Sequence, residues 1–191
     1  MTARTAGHLN NGKASVLEDN NDRPGRSVLD AIDLAILIHL LRDARSSVRG
    51  IAAAVGMSAP AVAERMSRME RSGVIGGYRA VVDWSRLGYG LTAYVSVTGV
   101  QGWEQHETVG ALLKLPEVEQ VEVVTGSYDL LVRLRVRDQD HLRRCLFDGL
   151  WKVPGVHRTE TLICLGEGAS KAFDLELAES LTAEAPTSRV G

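Results

Sequence analysis

The apolar residues of this chain change their spacing once, and that change divides what the chain can fold into. Between Val28 and Gly73 they recur at helical intervals in three short runs; from Leu91 onward strand-like and helix-like runs alternate. In the first run Asp30 can cap a helix whose apolar face holds Ile32, Leu34, Ile36, Leu37, Leu40 and Leu41. Ser47 can cap a second, short helix with Ile51, Ala52 and Val55 inward, ended by a left-handed Gly56. Ser58 can cap a third, which tolerates Pro60 in its first turn and sets Val62, Met66 and Met69 on one face. Gly73 supplies its stop.

The second half predicts the order βαββαβ. Leu91–Thr98 alternates apolar and polar residues, Trp103–Leu115 is a helix stopped by Pro116, and Val118–Thr125 and Asp129–Val136 are strands joined by a tight Gly126–Ser127–Tyr128 turn. His141–Val153 is a second helix, stopped by Pro154 and Gly155, and Val156–Leu165 is the last strand. That order gives an antiparallel sheet with both helices on one face, the ferredoxin-like arrangement. Apolar residues of both parities in one strand (Leu130, Leu131, Val132, Leu134) require cover for the other face too, and a second copy of the chain is the simplest source. The fold class is therefore α+β: residues 28–80 a helix-turn-helix, 81–90 a linker, 91–166 the sheet domain. Residues 1–27 are too polar to offset their ordering entropy and form an expected disordered leader, while 167–191 form a tail with a short helix possible near Asp174–Ala183.

Charge narrows the partners. The net charge is −2, so no global field draws the chain to nucleic acid. Residues 28–79 hold seven basic residues (Arg42, Arg45, Arg49, Arg65, Arg68, Arg71, Arg79) against five acids, a local excess of +2 suited to phosphate contacts. A helix-turn-helix needs a small residue where the helices meet, a sharp glycine turn and an exposed start to its second helix; Ala52, Gly56 and Ser58 supply them. The expected DNA-contacting residues are Ser47, Arg49, Ser58, Ala59, Pro60, Ala61, Glu64, Arg65, Arg68 and Arg71. Arg65 and Arg68 serve equally well as surface ion-pair partners, and a plain helical bundle with a solvated charged face fits the same pattern. The small side chains of Ser58–Ala61 leave room for readout of DNA shape.

An enzymatic reading finds no support. His8, His39, His106, His141 and His157 are scattered, and there is no metal-ligand spacing, nucleophile motif or phosphate-cradling loop. His141 and Cys145 could share a helix face, but two ligands rarely hold a metal and Cys145 is more simply core. No cofactor and no metal are expected. Cys145 and Cys164 read as thiols of a reducing compartment, no apolar run is long enough to span a bilayer, and the N-terminus lacks a signal-peptide core, so the expected location is the cytoplasm, at the nucleoid.

The stretch LDAIDLAILIHLLRDARSSVRGIAAAVGMSAPAVAERMSRMERSGVIGGYRAVVD, with LPEVEQVEVVTGSYDLLVRLRV and VPGVHRTETLICL after it, resembles the Lrp/AsnC (feast/famine) regulators from about Val28 to Gly166. The resemblance implies homodimers built by two ferredoxin-like domains face to face, higher assemblies such as octamers on double-stranded DNA, and an amino acid or related metabolite as effector. It also implies a ligand near the turn between the second and third strands. Here that turn reads Gly126-Ser127-Tyr128-Asp129, whereas the family's usual turn is Gly-Asp-Tyr-Asp. The expected effector residues are Thr125, Gly126, Ser127, Tyr128 and Asp129, with Thr159 and Thr161 completing a polar shell. Asp129 would take an ammonium, while amides and hydroxyls of the turn would take a carboxylate. A plain hairpin accounts for the turn equally well. An effector-independent architectural protein that organises DNA through oligomers alone stays open as the alternative function.

Overall fold

Each of the first three helices begins at a side chain that satisfies its own leading amides. In the computed structural model, which describes residues 29–100, 102, 104–166, 168 and 170–184, Asp30 accepts from the Asp33 amide at 2.8 Å and Asp33 returns the bond, a full capping box at the start of α1 (Ala31–Arg42). Ser47 Oγ accepts from the Gly50 amide at 3.1 Å to open α2 (Val48–Val55), which Gly56 ends at φ 68°. Ser58 does the same for α3 (Ala59–Arg71). Ile36, Leu40, Ile51, Ala52, Val62 and Met69 form the buried core of the three helices. Leu41, expected on the buried face of α1, is exposed instead.

The expected leader 1–27, Trp103 and the last residues 185–191 lie outside the described residues. The chain divides into two units. One holds the helices of residues 29–82 together with α6 (Phe173–Glu184); the other holds residues 83–166. The short helix expected in the C-terminal tail is present, but it is not free: α6 packs on α1, buries Ala178, and pairs Glu179 with Arg42 at 2.7 Å. Helix α6 is thus part of the helical unit.

The second unit starts with a 3₁₀ turn (Trp84–Leu87) inside what reads as linker, then runs β1 (Leu91–Gly99), α4 (Gln105–Leu112), β2 (Val118–Val123), β3 (Leu130–Val136), α5 (Gln139–Arg144) and β4 (Val156–Ile163). All pairings are antiparallel, in the order β2-β3-β1-β4, which is the ferredoxin-like sheet. The helix expected over His141–Val153 starts earlier, capped by Asp138, and loosens after α5 into a π segment and a 3₁₀ turn reaching Lys152. Ala93, Val95, Val97, Leu130, Val132, Leu134 and Val136 form the covered sheet face under Val109, Leu112, Leu142 and Leu150.

Register assigns the other face. Directly paired residues of an antiparallel sheet point the same way, so Tyr94, Ser96, Leu131, Arg133 and Glu160 share the uncovered side. That side carries charge beside its apolar residues: Arg133 and Arg135 converge there on Glu119, at 3.3 and 3.1 Å.

Candidate nucleic-acid interface and effector cavity

Helix α3 carries three stripes. Val62, Met66 and Met69 face the core, with Met66 only half-buried. Pro60, Glu64, Ser67 and Arg71 lie along a second, outward stripe, where Arg71 bonds Ser67 Oγ at 2.7 Å and pairs with Glu64 at 3.0 Å. The third stripe, Ala61, Arg65 and Arg68, turns back toward the start of α1. There Arg65 Nη1 reaches Asp30 at 2.6 Å and Asp33 at 2.7 Å, and Arg68 Nη2 reaches Asp33 at 2.6 Å. Burial alone would raise the Asp30 carboxyl, but the Asp33 amide and the Arg65 guanidinium outweigh it and hold Asp30 below the usual carboxylate range. The same contacts raise the Arg65 guanidinium, the Asp30 bond most of all.

Of the expected DNA contacts, Ser47, Arg49, Ser58, Pro60, Glu64, Arg68 and Arg71 are exposed, and Ala59, Ala61 and Arg65 are half-buried beside them. Arg49 has no ion-pair partner among the described residues. Arg65 and Arg68 are both ion-paired to an aspartate that α3's own pattern does not reveal, although the Arg68 side chain stays 55% exposed. The signal was present as matched spacing: two acids at i, i+3 on α1 opposite two arginines at i, i+3 on α3.

The expected effector residues do not converge. Val124–Asp129 is a six-residue connection between edge strand β2 and central strand β3, with Gly126 at φ 126°. The Tyr128 hydroxyl donates to the Glu160 carboxylate, which raises the Tyr128 pKa and fixes the ring toward the uncovered face. Thr159 and Thr161 pair with Val97 and Val95, so they point to the helix-covered face; Thr159 Oγ1 accepts from Trp151 Nε1 at 3.0 Å. Thr125, Gly126 and Ser127 are exposed.

Asp129 lines a cavity of about 290 Å³ bounded by Gly99, Val100, Gln105, Thr108, Asp129, Leu130 and Gly155. Its Oδ2 accepts from the Gly99 amide at 2.8 Å, leaving Oδ1 without a hydrogen bond among the described residues. A Cβ on Gly99 would stand 3.7 Å from Asp129 Oδ2 and 3.6 Å from the Gly155 carbonyl, in ordinary contact with both. Thr108 is buried and donates to the Pro154 carbonyl at 3.1 Å. Backbone approach, rather than a polar motif, builds these walls, so sequence offered little sign of Gly99, Gln105 or Gly155. His141 bonds Glu117 at 3.0 Å, and no group of three or more metal-ligating residues occurs among the described residues. No helix among them is long and apolar enough to cross a membrane.

Comparison with known proteins agrees with both units. The AsnC-type helix-turn-helix domain matches residues 29–70, and the Lrp/AsnC ligand binding domain matches residues 92–170. The chain is 36% identical over 153 residues to the leucine-responsive regulatory protein of Escherichia coli K12, covering 78% of this chain and 92% of that one. It is 34% identical over 140 residues to the transcriptional regulator FL11 of Pyrococcus horikoshii, covering 73% and 91%. Among solved structures, Escherichia coli AsnC superposes with a TM-score of 0.70 at 26% identity, covering 75% and 97%. A feast or famine regulatory protein from M. tuberculosis complexed with L-methionine does so at 0.69 and 28%, with the same coverage. The chain belongs to the Lrp/AsnC family of DNA-binding transcriptional regulators, with a helix-turn-helix unit and a ferredoxin-like ligand-binding unit.

Proposed function

We propose that the protein switches transcription in response to an L-amino acid, binding DNA through the start of α3 and the effector through the cavity at Asp129. The carrying observation is that cavity: it is lined by an Asp129 carboxylate oxygen and a Gln105 amide, neither hydrogen-bonded among the described residues, with Val100 and Leu130 as apolar wall. Asp129 Oδ1 receives the ammonium, Gln105 donates to the carboxylate, and the wall meets the side chain. The L-methionine complex of the M. tuberculosis relative supports this ligand class.

For DNA, the capped and exposed segment Ser58–Ala61 enters the major groove while Ser47 and Arg49 meet the backbone. The chain acts as a homodimer whose copies cover each other's open sheet face, assembling further toward octamers, so that two α3 helices read a roughly palindromic site. It works in the cytoplasm on the nucleoid.

Calorimetry of wild type and Asp129→Ala against the twenty L-amino acids tests the effector reading. At least one amino acid should bind wild type and lose about tenfold or more in affinity with Asp129→Ala, the cost of removing one charged partner. Equal binding by both proteins would place the effector elsewhere, and no binding by wild type would favour an architectural protein.

A further inference from the structure

Asp33 is a carboxylate only 1% exposed, inside the otherwise apolar run of α1. It accepts from the Asp30 amide at 3.2 Å, from Arg65 at 2.7 Å and from Arg68 at 2.6 Å, so its two oxygens tie the N-cap of α1 to the middle of α3. Asp30 adds a second bond to Arg65. The bonds come from one side of α3 and lie four to ten residues beyond its start at Ser58–Ala61, so they act against rotation of the helix about its own axis.

The same bonds alter the charge that α3 can offer. Its three arginines stand against Asp30, Asp33, Glu64 and Glu70, three positive charges against four negative. The local excess counted along the sequence therefore sits on Arg45, Arg49 and Arg79, off the helix that would enter the groove. Coulomb attraction to phosphates and orientation of the reading helix are thereby given to different residues.

We infer that Asp33 is a positioning residue for DNA recognition: it ties Arg65 and Arg68 back to α1 in ion pairs and sets the rotation of α3. Phosphate attraction is then left to Arg49 and its neighbours. This rests on the DNA interface proposed above. Binding that is specific but weakly dependent on α3 charge follows from it.

The test uses full-length wild type, Arg68→Gln, Arg49→Ala and Asp33→Asn. Each is titrated by fluorescence anisotropy onto a duplex that wild type recovers from a random pool, and onto a scrambled duplex of equal length, across about 50 to 200 mM salt. Arg68→Gln should keep the wild-type salt slope on both duplexes while losing about tenfold on the recovered duplex only, since a misoriented helix loses base contacts. Arg49→Ala should reduce the slope by about 0.9 on both and keep their ratio. Asp33→Asn should steepen the slope on scrambled DNA as Arg68 is released, with Arg65 left to Asp30 alone, and lower the ratio. If Asp33→Asn does not fold, Arg68→Gln decides alone. A slope reduced by about 0.9 in Arg68→Gln with the ratio intact would overturn the inference, because Arg68 would then be a phosphate ligand. A wild type that recovers no preferred duplex would instead overturn the proposed DNA interface on which the inference rests.

Discussion

A helix cap and a groove contact make different demands of Ser58. Its hydroxyl satisfies the Ala61 amide at the start of α3, and the same residue faces outward. Removing the hydroxyl in Ser58→Ala should lower stability by about 1 kcal/mol, read from denaturant midpoints. Ser58→Asp keeps a capping oxygen and adds a charge facing phosphate, so thermal stability should hold while DNA affinity drops about tenfold or more. Loss of both together would mean that Ser58 only supports the fold. Asp30 carries the pH dependence of the same unit. Its carboxyl lies below the ordinary value in the folded chain, so its contribution is complete above about pH 4 and fades as the pH falls through the lower folded value. Wild type should exceed Asp30→Asn in stability at neutral pH, and the two should converge as the pH falls below the lowered folded-state value. Equal stability of both proteins at neutral pH would remove Asp30 from the account. The caps Asp30, Ser47 and Ser58 were legible because capping is decided within three residues. Asp33 was not, because its arginines stand more than thirty positions away on a different helix.

At the scale of elements, periodicity identified all three N-terminal helices and the βαββαβ order, since each needs only its own residues. What it could not supply was register. Thr159 and Tyr128 lie close to the same end of the sheet, yet Thr159 bonds Trp151 on the covered side and Tyr128 bonds Glu160 on the other. Only the pairing of β4 with β1 decides this, and a shift by one residue would reverse it. Thr161→Val should therefore leave amino-acid affinity within about twofold of wild type by calorimetry, well under the change expected for a lost polar contact. A loss comparable to that of Asp129→Ala would return Thr161 to the site. Helix α6 shows the converse limit. Its composition suggested a helix, but nothing local named α1 as its partner. Ala178 is buried at that contact, and Ala178→Glu should cost about 1–3 kcal/mol by forcing a charged side chain into it. A midpoint unchanged from wild type would mean that α6 adds no stability to the helical unit.

For the whole molecule, the two units divide the labour of a regulator: one carries the reading helix, the other a cavity sized for a small metabolite. Regulation requires that occupancy of the second changes the first, and linkage makes that coupling reciprocal. The uncovered sheet face, with Tyr94 and Leu131 among the Arg133–Glu119 and Arg135–Glu119 pairs, is where a second copy of the chain enters the proposal. The direct test is one pair of isotherms: full-length protein on its recovered duplex, without amino acid and with the amino acid that calorimetry identifies at saturation. The apparent Kd should shift by about fivefold or more, and Asp129→Ala should abolish the shift without changing binding in the absence of amino acid. Superimposable wild-type isotherms, with the amino acid shown to be bound, would contradict that coupling.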